Sequence, residues 1–276
     1  MASCSRTTQP SGTSASVKQT CCAASAKASR TQFEARRLSE IWTPILEQLE
    51  ARTGLEFKMI GSPRIPEFEQ AFGRGEFDFS YMNPYHSLVA FSRQGYEPLV
   101  RDGDRKLSGV LVVTKESPYK TVSDLENARI AFPAPNAFGA SLLIRANLDR
   151  VHDLDFVPDF VNTHSSAYLN VVLGEADAAG GVMSTFMALD PDVRDHLRIL
   201  YETPEMPPHP IVVHPRVPRE IAERVQRAFL EIAATPEGAE ILSKIPMRRA
   251  VATQASDYGS LTKLELEDYY VEIGSN

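Results

Sequence analysis

The sequence predicts an α/β protein with mostly parallel sheets. Apolar runs at strand spacing alternate with runs at helical spacing, the pattern of layered βα units. Residues 75–84, Gly-Glu-Phe-Asp-Phe-Ser-Tyr-Met-Asn-Pro, form a period-two strand that stops at a proline and leads straight into a helix. The chain of 276 residues, 43% hydrophobic and 24% charged, is large enough for two small lobes.

The first thirty residues stand apart. They are rich in Ser, Thr, Ala and Cys, carry Arg6, Lys18, Lys27 and Arg30, and contain no acid. They show no periodicity, no continuous apolar run of the secretory-signal type and no leucine-led lipoprotein box before Cys21. Residues 1–30 are therefore expected to be a disordered or aberrant tail outside the core.

Beyond the tail, Leu38, Trp42, Ile45, Leu46 and Leu49 recur at helical spacing, and Gly54 supplies a stop. Residues 55–60 read as a strand, 66–72 as a helix and 77–81 as a strand. In that strand Phe77, Phe79 and Tyr81 share one face and Asp78 and Ser80 the other, as in a half-buried strand. A helix over 85–91 follows, then strands over 96–101 and 110–114. Ser123 and Glu126 have capping-box spacing ahead of a short helix. A strand is expected over 129–132, a helix over 137–150, a strand near 156–162 and a helix over 166–174. Strands over 178–182, 198–201 and 211–214 come next. Ile221, Val225, Phe229 and Ile232 mark one face of a helix over 219–234, and Thr235-Pro236 opens another. Pro204, Pro207, Pro208 and Pro210 make a stiff passage that suits either a crossover between lobes or a surface loop.

Composition excludes several classes. A net charge of −7 argues against a nucleic-acid partner. No run approaches the eighteen apolar residues of a membrane span. Cys4, Cys21 and Cys22 all lie in the tail, so the body has neither a disulfide nor a thiol nucleophile. Nucleophile elbows, phosphate-binding P-loops, HExxH and dinucleotide fingerprints are missing, and the six histidines make no i, i+4 pair. No catalytic residue, metal site or cofactor is expected.

The residues that can bind a ligand sit at strand-to-helix junctions. Tyr81 ends its strand, and Asn83 and Tyr85 flank the start of the following helix. Residues 132–141, Phe-Pro-Ala-Pro-Asn-Ala-Phe-Gly-Ala-Ser, combine a strand end, a proline-punctuated loop and a helix start. Asn136 reads as the N-cap, leaving the amides of Ala137, Phe138 and Gly139 free for an oxyanion.

These stretches resemble the phosphate/phosphite/phosphonate-binding proteins of ABC importers. The likeness runs over residues 32–258 through four motifs in order. They are 75–84; 109–117 with Val122-Ser-Asp-Leu125; 132–141; and Thr163-His164 with Leu173-Gly-Glu-Ala-Asp-Ala178. The resemblance implies a two-lobed type II periplasmic-binding-protein fold with the ligand in the cleft. Lobe 1 would be 31–116 plus 204–276, and lobe 2 would be 117–203. The family's first strand, just before Gln32, is missing, as a wrong start or frame error would explain.

By the same resemblance, Tyr81, the amides of 136–139 and His164 converge on the anion, with Asn83, Tyr85 and Gln32 as further contacts. The family's loop reads Pro-x-Ser-Thr-Ser-Gly, and here Ala137 and Phe138 replace its leading hydroxyls. Residues 180–186, where some members carry acids for a ligand amine, have none. The implied protein is a non-enzymatic solute-binding component, periplasmic or membrane-anchored outside the cytoplasm, although no signal peptide is recognisable. It would be a monomer whose partners are a phosphate, phosphite or simple phosphonate and a membrane permease. Two alternatives stay open: an enzyme on the same fold, of the pyrimidine- or menaquinone-precursor type, and the extracytoplasmic sensory lobe of a signalling system.

Overall fold

The computed structural model describes residues 2–7, 16–21, 27–62 and 65–272, with side chains described from residue 38 onward. The chain divides into two compact units. One comprises the residues up to Arg105 together with Pro207–Lys263, the other Lys106–Met206 with Leu264–Glu272.

The first unit opens with β1 (Ala2–Thr7), β2 (Ser16–Cys21), α1 (Lys27–Thr53), β3 (Glu56–Met59) and α2 (Ile65–Gly73). It continues through β4 (Phe79–Tyr81), α3 (Pro84–Gln94) and β5 (Glu97–Asp102). The second unit carries β6 (Gly109–Thr114), β7 (Arg129–Phe132), α4 (Leu143–Arg150), β8 (Val157–Phe160) and α5 (His164–Val172). β9 (Ala178–Val182), α6 (Met183–Met187), α7 (Pro191–Arg194) and β10 (Leu197–Glu202) follow. The chain then returns to the first unit for β11 (Ile211–Val213), α8 (Arg219–Ala233), α9 (Pro236–Leu242) and β12 (Ala250–Ala252).

The first unit's sheet has the order β12-β5-β11-β4-β1-β2-β3, with β2 also pairing with β4. β2 runs parallel to β3 and β4, whereas β11, β5 and β12 join antiparallel. The expected mostly parallel sheet is thus mixed. β11 enters after the excursion through the second unit rather than through a right-handed βαβ crossover, and nothing then forces it to run parallel. The N-terminal expectation is also corrected: β1 and β2 pair with each other, β1 pairs with β4, and β2 occupies the place where a first strand had looked missing.

The helical stripe read from the sequence packs as expected. Trp42, Ile45, Leu46 and Leu49 of α1 bury against Val225, Phe229 and Ile232 of α8 and Phe79 and Tyr81 of β4. Gly54 ends α1 at φ +63°, a conformation that only glycine adopts without strain. β4 is a correction: Phe79, Ser80 and Tyr81 are all buried, not alternately exposed. The strand is central and covered on both faces, with Phe77 and Met82 packing toward Phe68 and Phe72 in a separate cluster.

The second unit's sheet has the order β10-β6-β9-β7-β8. β7 is parallel to β8 and β9, while β6 is antiparallel to β9 and β10. Leu111, Val113, Ile130 and Phe132 face Ile144 and Leu148 of α4. Val110, Val112, Ala131 and Ala179 face Tyr168 and Val171 of α5. β6 belongs here and not to the first unit as expected, because both of its pairing partners lie in this sheet; Leu264–Glu272 also joins this unit. The capping box of the short turn Val122–Leu125 is formed by Thr121 and Asp124, two residues before the expected pair. Among the described residues no helix is long and apolar enough to cross a membrane.

Candidate functional site

Tyr81 closes β4 at its carboxyl end. Its ring tilts against Trp42 at 5.8 Å and stacks on His209 at 5.5 Å and 29°. Burial, reinforced by nearby Tyr258 and Asp102, pushes its phenol well above the ordinary tyrosine range. The group is therefore a protonated donor at any working pH. Its hydroxyl makes no hydrogen bond to a described residue. Tyr258 anchors this cluster by donating to the Pro208 carbonyl at 3.0 Å.

The neighbouring candidates have structural duties. Asn83 is the N-cap of α3, its Oδ1 accepting from the His86 amide at 2.7 Å, with Pro84 at the first helical position. Tyr85 is buried within α3. The His86 imidazole lies in the core with its Nε2 2.6 Å from Glu69 Oε1, so it serves the packing of α2 on α3. Gln32 lies in the first part of α1, before residue 38, where side chains fall outside the described residues.

In the second unit the candidates gather at the carboxyl ends of three adjacent strands. β8, β7 and β9 run parallel side by side, and residues 133–139, 161–164 and 183–185 follow their ends. This is the edge at which open α/β sheets bind ligands. The segment after β7 departs from expectation. Asn136 is not an N-cap: its Nδ2 donates to the Val271 carbonyl at 2.8 Å and its Oδ1 accepts from the Val271 amide at 2.9 Å. Ala137 takes the cap position, and Phe138–Leu142 forms a single π-helical turn before α4. The Ala137 amide is not available as expected, because it donates to the Ala134 carbonyl at 3.3 Å across the proline-punctuated loop. The N–H groups at the start of the π-turn itself are those that suit an anion. The Phe138 side chain is buried.

Close backbone approach builds this turn. A Cβ added at Gly109 would lie 2.0 Å from the Gly139 carbonyl oxygen, so β6 can reach the turn only with glycine there. A Cβ at Gly139 would lie 3.0 Å from the Val182 side chain, which places the turn against the end of β9.

His164 opens α5 behind the N-cap Thr163, whose hydroxyl accepts from the Ser166 amide at 2.9 Å. The Thr185 hydroxyl lies 3.4 Å from His164 Nδ1, 2.9 Å from the Tyr168 hydroxyl and 2.9 Å from the Val182 carbonyl, to which it donates. Burial pulls the His164 pKa down to about 4, so the ring is neutral near pH 7 and carries one N–H. Gly139, Val182, Thr185 and His164 thus form one connected edge in which no side chain is a cation.

Sequence reasoning missed three supports: His209 stacked on Tyr81, the Tyr168–Thr185 pair behind His164, and Val271 holding Asn136. The signal for His209 was its place two residues before β11, whose Ile211 lies opposite Tyr81 in β4. That register is invisible in the sequence.

A mixed α/β fold in two units, with polar groups gathered at the ends of parallel strands, suits ligand binding but does not by itself set a function. The chain belongs to the family described as ABC transporter, phosphonate, periplasmic substrate-binding protein, whose model matches residues 30–258. The members of this family are binding proteins and not enzymes. The chain is 20% identical over 225 residues to the phosphonates-binding periplasmic protein of Escherichia coli (strain K12), covering 76% of this chain and 66% of that relative.

Among solved structures it is similar to a binding protein component of an ABC phosphonate transporter from Pseudomonas aeruginosa. The TM-score is 0.76 at 16% identity, covering 93% of this chain and 90% of that one. It is also similar to PhnD1 from Prochlorococcus marinus (MIT 9301) in complex with methylphosphonate, with a TM-score of 0.73 at 16% identity, covering 83% and 92%. These likenesses identify the fold as that of type II periplasmic binding proteins.

Proposed function

We propose that this protein binds a small, amine-free phosphorus oxyanion, of which methylphosphonate is the type and phosphate and phosphite the close rivals. It would do so outside the cytoplasm as the monomeric solute-binding component of an ABC importer, handing the ligand to a membrane permease. In this reading the donors are Tyr81, the amides at the start of the π-turn and the neutral His164.

The observation that carries the reading is the edge at the ends of β8, β7 and β9, where a π-turn start and His164 gather without a cationic side chain. Backbone amides and neutral donors hold a compact oxyanion in this way, through fixed dipoles rather than a counter-charge.

Amine-free ligands follow from the partners these acids already serve. Asp78 is buried against Arg216 Nε at 2.7 Å. Asp177 sits at the other end of β9, accepting from the Arg129 amide at 2.8 Å and the Tyr119 hydroxyl at 3.1 Å. Glu202, at the end of β10, accepts from the Ser108 hydroxyl at 2.6 Å.

A thermal-shift screen against phosphate, phosphite, methylphosphonate, aminoethylphosphonate and sulfate tests the reading. A ligand at about a hundred times its Kd should add roughly 2.7 kcal/mol of stability. Methylphosphonate is expected to shift the melt most. A screen in which no phosphorus anion outperforms sulfate sinks the proposal. Preference for aminoethylphosphonate would overturn the amine-free part and point to Glu202.

A further inference from the structure

An anion held by backbone amides is held only as well as the backbone is fixed. The loop entering the π-turn has Pro133 and Pro135 and no regular structure of its own. It is fixed from behind by Leu264–Glu272, the C-terminal segment that packs within the second unit. The Asn136 side chain grips Val271 by both backbone groups, at 2.8 and 2.9 Å, in the manner of a β-bridge. Arg145 ties the same pieces together: its Nη2 donates to the Pro135 carbonyl at 2.9 Å and the Tyr269 carbonyl at 2.8 Å. Its Nε donates to the Ser141 hydroxyl, inside the π-turn, at 3.2 Å. One guanidinium therefore joins the loop's entry, the turn and the C-terminal segment.

The segment is attached to α4 by polar contacts along its length. Arg150 donates to the Leu264 carbonyl at 2.9 Å and lies 4.8 Å over the Tyr269 ring, and the Tyr269 hydroxyl donates to Asp149. Little apolar surface secures it. Leu266 is its single buried hydrophobic residue, and Val271 is 45% exposed. A segment with few buried apolar contacts opens at low free-energy cost, without unfolding the unit it lies on.

We propose that Leu264–Glu272 is a strap that positions the anion-binding turn, and that Asn136 and Arg145 are positioning residues acting through it rather than ligand contacts. The proposal rests on the reading of the turn as the anion site. With the strap seated, the amides of the turn are held in one arrangement. With it released, the loop samples others and the ligand selects from a smaller competent fraction.

The test uses the full chain with Val271→Pro, Asn136→Ala and both together. Proline at 271 removes the N–H that Asn136 accepts. Tyr270 already has φ −76° and ψ 121°, which a following proline permits. Two readouts are taken: methylphosphonate affinity by calorimetry, and amide hydrogen exchange over the π-turn in the ligand-free protein. Val271→Pro, which touches no proposed ligand contact, is expected to weaken methylphosphonate roughly three- to tenfold, the loss of about one hydrogen bond. It should also speed exchange at Ser141 and Leu142, and the double variant should bind no more weakly than Asn136→Ala alone. Unchanged affinity in Val271→Pro overturns the strap, whatever the exchange shows. If the unsubstituted chain takes no methylphosphonate, the functional reading fails, and the exchange result alone decides whether the strap holds the turn.

Discussion

Tyr81 shows how one residue's environment can prepare it for a ligand. Trp42 and His209 fix its ring from two sides, and burial keeps the phenol protonated. Truncation to phenylalanine leaves both ring contacts in place and removes only the donor. Tyr81→Phe is therefore expected to weaken methylphosphonate by about 1–3 kcal/mol, the cost of leaving a charged partner one donor short. The melting temperature of the ligand-free protein should stay close to that of the parent. Calorimetry and a thermal melt on the same preparation check this, and equal affinity would remove Tyr81 from the site. His164 works differently: uncharged near neutrality, it has one N–H. Because the Thr185 hydroxyl donates to the Val182 carbonyl, a proton on Nδ1 would be directed at Thr185, and the ring donates to an anion only as the Nε2–H tautomer.

At the scale of elements, the second unit's candidate edge depends on a strand with almost no side chains. A Cβ on Gly181 of β9 would fall 1.8 Å from the Tyr168 hydroxyl, the group that meets Thr185 behind His164. Gly181→Ala must push Tyr168 aside, and overpacking of this kind costs about 1–3 kcal/mol. It should lower the melting temperature and also weaken methylphosphonate, since His164 loses its support. A variant that melts earlier but binds normally would show that Tyr168 and Thr185 serve packing alone. The glycines were visible in the sequence; their reason was not, because the tyrosine that needs the space is thirteen residues away on another element. The same limit explains the other misreadings. The apolar stripes of helices α1 and α8 were legible because their periodicity is local. Asn136 read as a cap because Asn before a helix normally is one, and the competing partner Val271 lies far along the chain. β6 was assigned to the wrong unit because pairing, not composition, decides allegiance. β1 and β2 carry no apolar alternation, so their place in the sheet had no local signal.

Across the whole molecule, each unit holds a half-buried histidine, His164 in the second and His214 in the first, and these set how the protein responds to acid. Burial lowers His164 in the second unit to about 4, and burial with Arg216 nearby lowers His214 in the first to about 4, against an ordinary value of 6.5. Between those limits the unfolded chain binds more protons than the folded one, so stability is fully present above 6.5 and is lost as pH falls toward 4. The carboxylates Asp104 and Asp124 are held below 3.8 by hydrogen bonds from Arg249 and from the Thr121 and Lys120 amides, respectively. Their contribution disappears only at lower pH, so the two kinds of group act in separate windows. The ligand-free protein is accordingly expected to melt lower at about pH 5 than at about pH 7. His164→Gln and His214→Gln should each narrow that difference, by relieving a different unit. Melts of the parent and the two variants across this range decide the matter. A melting temperature that does not change between those pH values, or a loss that neither substitution reduces, would mean that other groups govern the acid response.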